Sequence, residues 1–292
     1  MGWDRAGSEL TELQIEPQRQ PWPDERMVYL TLDFECDFGT ALTRNVYEAV
    51  EYVDDLVDLL ETTETPLTCF VQTELLDERP EAVERLRGCS QPVTFHPHSH
   101  THSKRENTSM RYEITRSTDR FTEFFDRSPV GYRFPNGNVR ASDYQLLSEE
   151  GYEFDASVFP TWRPGHFNNT QAPAVPTYLN RFDLFEMPFT VLSSVVPIPT
   201  ALSYCRIFGR LVTSALLRAG PSTVVFNIHL HDLATPTSAT ALPPLYQALY
   251  SRNVDGFALL HDVLTRYQRQ GYRFDTIDSA HETLRNRFPG YT

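Results

Sequence analysis

Residues 27–39 read MVYLTLDFECDFG, an apolar run that closes on Asp33, Glu35 and Asp37. An unbroken run of this kind is the pattern of a strand buried on both faces, here Met27 to Phe34. Next to it, Arg44 to Leu60 sets Val46, Val50, Val53, Val57 and Leu60 at helical spacing. The strand-then-helix unit recurs. Leu67 to Val71 precedes a helix near Glu81 to Arg87, and Pro92 to Phe95 precedes Tyr112 to Phe125. Val130 to Phe134 precedes Ser142 to Glu150, and Tyr152 to Asp155 is the next strand. Past a Pro- and Asn-rich segment at Arg163 to Pro176 come a strand at Leu184 to Phe189 and a helix at Ile207 to Leu217. A strand at Thr223 to Ile228 and a closing helix at Gly256 to Arg269 follow. Such alternation predicts an α/β fold of parallel strands covered by helices. The number of units, and the lack of a glycine-rich dinucleotide fingerprint after the first strand, predict a distorted β/α barrel of seven or eight units rather than an open sheet.

The chain has 292 residues, 40% of them hydrophobic, enough for a substantial core. No internal repeat divides it, so residues 27–292 read as one catalytic domain behind a flexible tail over residues 1–26. The tail is rich in Gln, Pro, Glu and Arg and has no apolar run. It resembles neither a signal peptide nor a membrane anchor, so a cytoplasmic protein with no integral membrane segment is expected. The net charge of −13 and the absence of a basic run argue against a nucleic-acid partner. Lys104 is the only lysine among 26 basic residues. An acidic surface that avoids lysine fits a halophilic protein, since salt screens the self-repulsion; a genome biased toward arginine codons gives the same composition. Cys36, Cys69, Cys89 and Cys205 lack metal-ligand or disulfide-framework spacing and read as reduced structural thiols.

A barrel demands that polar residues at the C-terminal ends of its strands converge. Alternation puts Asp33 and Glu35 on one face at the end of the first strand, where two unpaired carboxylates repel unless a cation or a shared proton relieves them. The third strand runs into VTFHPHSHTHSK, Val93 to Lys104, with histidines at positions 96, 98, 100 and 102. Pro97 holds His96 extended and favours a turn after it, which brings His98 and His102 together. Two imidazoles and a carboxylate from another strand make a three-ligand site with open positions, the arrangement of catalytic zinc. Arg133 in GYRFPNGN and Asp155 in EFDASVFPTW end later strands. TVVFNIHLHDL presents Asn227, His229 and His231 on one face, with Asp232 behind them. Together these supply a base, an acid and partners to fix both, the requirements of hydrolysis.

These segments resemble the motifs of the polysaccharide deacetylases of the NodB-homology, carbohydrate esterase 4 type, in family order from about Val28 to Ile277. TLDFE resembles the first motif, HSHTH the metal-binding histidines, RFPNG the arginine-proline motif and FDASVFP the fifth-strand motif. The closest likeness is to the branch with an Asp-x-Asp/Glu first motif, whose Glu-x-Pro strand and aromatic-Arg segment resemble FEMP (Phe185 to Pro188) and YCRIF (Tyr204 to Phe208). The resemblance implies a NodB-type barrel that removes N-acetyl groups from amino sugars with one divalent cation, zinc foremost. It implies Asp33 as catalytic base, Glu35, His98 and His102 as metal ligands, and Arg133 as the residue that tunes the base. It further implies Asp155 as the acid that positions His229, His229 as general acid, and a backbone N–H near Asn136 in the oxyanion site. Three positions depart from the pattern. Phe34 replaces the usual second Asp, His229-Leu230-His231-Asp232 replaces His-Pro-Trp-Glu and leaves His231 as a rival acid, and Phe134 stands where the family often has alanine.

The expected function is therefore a metal-dependent deacetylase acting on an N-acetylated sugar or glycan precursor. Two other readings stand beside it: a cyclic amide hydrolase resembling allantoinases, and a non-catalytic member that binds glycan or metal.

Overall fold

The computed structural model describes residues 17–163, 167–250 and 255–287. Strand β1 (Gln18–Arg19) is followed by β2 (Met27–Phe34), β3 (Leu67–Val71), β4 (Val93–Pro97), β5 (Gly131–Tyr132) and β6 (Phe154–Asp155). Next come the antiparallel pair β7 (Trp162–Arg163) and β8 (Phe167–Asn168), then β9 (Thr177–Leu179), β10 (Leu184–Glu186), β11 (Thr223–His229) and β12 (Arg273–Asp275). One parallel sheet has the order β11-β2-β3-β4; β12 pairs with the first half of β2, where β3 has not yet begun. A second sheet sets β5, β6 and β10 parallel and adds β9 and β1 antiparallel at its edge. The sheets curl toward each other. On one side the Arg133 N–H donates to the Pro97 carbonyl; on the other the Asn227 N–H donates to the Thr200 carbonyl. The result is the distorted β/α barrel that the alternation predicts.

Register along β2 shows why its sequence is apolar on both faces. Val28, Leu30, Leu32 and Phe34 point outward into the core beneath the helices, with Val53, Leu56, Val57 and Leu60 of the helix Val53–Thr62. Met27 and Tyr29 point inward and pack with Phe154, Phe185, Met187 and Val225. Each fully buried large side chain of this kind contributes about 1.5–3 kcal/mol. Thr31 and Asp33 continue the inward face, so the barrel changes from apolar to polar toward the C-terminal strand ends.

Several elements differ from expectation. The helix expected over residues 44–60 opens as a 3-10 turn, Glu48–Tyr52, and is α-helical only over Val53–Thr62. That expected over residues 207–217 is two helices, Leu202–Phe208 and Arg210–Ala219, separated at Gly209, whose φ of +70° an L side chain rarely adopts. Gly256–Arg269 is a helix as expected, started by the Asp255 carboxylate accepting from the Ala258 N–H. It does not close the chain, since β12 and the helix Ile277–Arg287 follow. The tail expected over residues 1–26 is docked from residue 17 onward. β1 pairs with β9, and Trp22 packs on Tyr29 while its indole N–H donates to the Ala174 carbonyl at 3.1 Å; residues 1–16 lie outside the described set. Cys36, Cys69 and Cys205 are buried free thiols, and Cys89 is partly exposed. No helix among the described residues is long and apolar enough to cross a membrane.

Candidate active site

The four histidines of residues 96–102 divide into two structural and two convergent ones. His96 points inward from β4, packs between Phe70 and Phe154, accepts the Gly131 N–H and pairs with Asp278 at 3.0 Å. His100 bonds the Thr73 hydroxyl at 3.0 Å. His98 and His102 turn toward Glu35, and the turn between them runs through left-handed residues, Ser99 at φ +62° and His102 at φ +58°. The Ser99 hydroxyl accepts the His102 N–H and fixes that turn. Gly39 closes the cluster from the other side. A Cβ there would stand 2.8 Å from His102 Cε1 and 3.2 Å from Glu35 Oε1, at a φ of +50°.

The Nδ1 of His98 lies 2.9 Å from the Arg133 carbonyl oxygen, which can only accept, so Nδ1 carries the proton. Nε2 then presents a lone pair to Glu35 Oε2 at 3.0 Å. His102 places Nε2 2.6 Å from the same oxygen, and neither of its ring nitrogens meets the geometry of a hydrogen bond. One ligand atom from each of Glu35, His98 and His102 lies within 4.8 Å of the others. Buried donors of electron pairs with a fixed tautomer behind them fit a divalent cation. The extra methylene of Glu35 lets it reach both imidazoles. Phe34, where the family pattern has an acid, faces the helix-side core.

Beside this cluster stands Asp33, 6% exposed. Its Oδ1 accepts from Arg133 Nη1 at 2.7 Å and its Oδ2 from Asn227 Nδ2 at 3.1 Å. Burial disfavours its charge, but the Arg133 guanidinium foremost outweighs that and holds the carboxyl below its usual range. Arg133 is itself fixed through its ring contacts, Nε and Nη1, while its Nη2 is buried without a partner. Its guanidinium lies between the Phe70 and Phe189 rings, 3.9 and 4.3 Å from their centroids, and its Nε donates to the Ala156 carbonyl at 2.8 Å. Nη1 also donates to Thr31 and Asn227, which bond each other.

Across from Arg133, His229 directs Nε2 at Asp33 Oδ2 over 3.5 Å while its Nδ1 donates to Asp232 Oδ2 at 2.8 Å. Burial opposes an imidazolium here, yet the hydrogen bond and charge of Asp232 lift the group to about 9. His231 stacks on His229, ring centroids 4.8 Å apart, but its Nδ1 accepts the Phe38 N–H and burial pushes it down to about 4. It is neutral at pH 7 and forms no ion pair with Asp33.

The geometry thus brings Asp33, Glu35, His98, His102, Arg133 and His229 to one place. It corrects the role carried over to Asp155. That carboxylate accepts from the Ser157 hydroxyl at 2.6 Å, while the position behind His229 belongs to Asp232. Asp232 is legible in the sequence as an acid three residues past a strand-end histidine. Gly39 carries no comparable signal, and the strand pattern places Asn227 near the site without showing that it holds Asp33. Asn136, at φ +57°, lines a cavity of about 280 Å³ with Thr40, Ser99, Phe134 and Asn138. This cavity opens next to the cluster, since Ser99 adjoins His98 and Thr40 adjoins Gly39.

Comparison with known proteins agrees with this architecture. Residues 21–154 match the family model described as polysaccharide deacetylase. No curated protein sequence matches the chain. Among solved structures, a peptidoglycan N-acetylglucosamine deacetylase, Bc1960, superposes with a TM-score of 0.53 at 14% identity, covering 90% of this chain and 91% of that one. The peptidoglycan deacetylase PdaC of Bacillus subtilis gives 0.51 at 14% identity, with 91% and 94% covered. A carbohydrate esterase 4 family pseudoenzyme of Bacillus anthracis gives 0.53 at 13% identity, with 89% and 66% covered. At such identities these likenesses establish the fold. The family model spans β2 to the start of β6, and the remaining strands complete the barrel that these deacetylase structures share.

Proposed function

We propose that this chain is a metal-dependent deacetylase that removes an acetyl group from the nitrogen of an amino sugar, free or within a glycan. The observation that carries the reading is a pair of groups preset to opposite protonation states. Asp33 is ionised and clamped by Arg133, and His229 is protonated and clamped by Asp232, with 3.5 Å between them. Environments that push two titratable groups apart in this way assign a base and an acid. Asp33 takes the proton from the attacking water, and His229 Nε2 delivers one to the departing amine nitrogen. His231, neutral and bonded to Phe38, supplies no proton. Glu35, His98 and His102 would hold the cation, which when bound polarises the amide carbonyl and acidifies water. The cavity lined by Asn136, Phe134 and Asn138 would receive the sugar.

A non-catalytic binder has no need of an acid and a base facing each other, which sets that alternative below this one. Two variants test the proposal together. Asp33→Asn is expected to retain cation binding by calorimetry and to lose at least about 100-fold in kcat for acetate release from N-acetylhexosamine oligomers. His98→Ala is expected to lose both. Acetate release that survives Asp33→Asn at the wild-type rate would remove Asp33 from the mechanism.

A further inference from the structure

His231, to which the reaction above gives no part, sits on the short helix Leu230–Leu233 that follows β11 and ties down a loop far away in the chain. Its Nδ1 accepts the Phe38 N–H at 3.2 Å. An imidazole nitrogen that accepts carries no proton, so the ring is neutral and serves here as an acceptor. The Phe38 ring packs on it, centroids 4.6 Å apart, and meets Tyr250 edge-on at 5.0 Å. What the contact holds is an unusual piece of backbone. Phe38 and Gly39 are consecutive left-handed residues, at φ +56° and +50°. Glycine takes that conformation freely, whereas a residue with a Cβ rarely does, so Phe38 needs its surroundings to keep it there. The loop is tied at three points. The Cys36 N–H donates to Gln72 Oε1 at 2.9 Å. The Asp37 carboxylate accepts from the Glu48 and Ala49 N–H groups and from the Ser238 hydroxyl. His231 is the third tie, one residue from Gly39, where the loop crowds His102 and Glu35. His98 has the Arg133 carbonyl behind its Nδ1, but His102 Nδ1 is buried without a hydrogen-bond partner. Packing therefore orients the His102 ring, and Gly39 is the wall on that side.

We propose that His231 is a positioning residue for the cation site: by accepting the Phe38 N–H it holds the left-handed Phe38–Gly39 turn against His102 and Glu35. The segment from Glu35 to Gly39 leaves the site as a ligand and returns to it as its wall, and His231 fixes the return. The role rests on the reading of Glu35, His98 and His102 as cation ligands; the hydrogen bond itself does not.

The experiment has two arms, both on the full chain with zinc ion alone and no substrate. In the first, amide hydrogen exchange at Phe38 is followed in the wild-type protein. If turn and cation are coupled, each stabilises the other, so the Phe38 N–H is expected to exchange about threefold or more slower with zinc bound. Exchange at Phe38 that zinc leaves unchanged overturns the proposal. In the second arm, calorimetry compares two substitutions. His231→Phe keeps a ring beside Phe38, His229 and Tyr250 but has no acceptor, and is expected to weaken zinc binding about tenfold or more at unchanged stoichiometry. His231→Asn sets a carbonyl oxygen close to the place of Nδ1 and is expected to bind within about threefold of wild type. A Phe variant that binds zinc as tightly as wild type, or an Asn variant as weak as the Phe variant, overturns the role of the hydrogen bond. Loss of a zinc equivalent instead of affinity would make His231 a ligand and overturn it too. Should the Phe variant fail to fold, the Asn variant and the wild-type exchange decide. A wild type that takes up no zinc removes the cation reading itself, and this inference with it.

Discussion

His229 is charged before any substrate arrives, because Asp232, fully buried, receives its Nδ1–H. That charge gives a test of which histidine is the acid. The protonated form is the donor, so kcat falls as pH rises through the His229 limb, which lies at about 9 or lower once a cation at Glu35 repels the imidazolium. Asp232→Asn removes the charge that lifts the group, and the limb is expected to move down toward the ordinary histidine value of roughly 6.5. At pH 8 the variant then loses about tenfold or more in kcat. The kcat–pH profile checks it, and an alkaline limb that stays put in Asp232→Asn would exclude His229. At this scale the sequence is legible where chemistry depends on strand ends: Asp33, Glu35, His98, His102, Arg133 and His229 all stand there and all meet. It is not legible where two side chains compete for one neighbour. Spacing cannot show whether Asp155 or Asp232 lies nearer to His229, and the family pattern favours the wrong one. Nor does it show that Gly39 is demanded by the crowding of His102 and Glu35.

Strands and helices are legible in proportion to their length and periodicity. β2, β3 and β11 and the helix Gly256–Arg269 are long, apolar or strongly amphipathic, and their sequences suffice. β5, β6 and β10 have two or three residues each in the ladder, because the curled sheet pairs them only briefly, and so fall short of the lengths their sequences suggest. β12 leaves no signal of its own because its burial depends on pairing with β2 far away in the chain. A glycine inside one of the short strands shows how tightly they pass each other. A Cβ on Gly131 would stand 2.1 Å from Phe154 Cζ, inside the ring that packs on His96 and His281. Gly131→Ala must displace Phe154, and overpacking of this kind costs about 1–3 kcal/mol. Urea unfolding is expected to show that loss as a lower midpoint at constant slope. Because Arg133 directly follows this strand, kcat should fall with it. A variant of wild-type stability would mean that Phe154 has room to move, and that β5 does not hold Arg133 rigidly.

Across the whole molecule the dominant feature is charge, −13 with a single lysine. The ion pairs do little to offset it. Among the described residues several are exposed, such as Arg85 with Asp54 and Arg266 with Asp262, and exposed pairs contribute about 0–1 kcal/mol each. Asp54, Asp55 and Asp58 crowd one exposed helical face, with Arg85 reaching the first and last of them. Like charges at helical spacing destabilise. Repulsion of this kind acts over roughly 10 Å at 0.1 M salt and about 3 Å at 1 M. If acidity is an adaptation to salt, the thermal midpoint rises by about 5 °C or more between 0.1 and 1 M KCl, given that about 1 kcal/mol moves a domain of this size by roughly 2–4 °C. Asp55→Asn combined with Asp58→Asn should raise the low-salt midpoint and reduce the salt response, because the same repulsion is removed by mutation instead of by screening. Codon bias predicts something different: arginine in place of lysine changes no net charge and leaves the salt response of an ordinary acidic protein. A midpoint flat from 0.1 to 1 M KCl would rule out adaptation to salt, and the lone Lys104 would then say nothing about where the protein works.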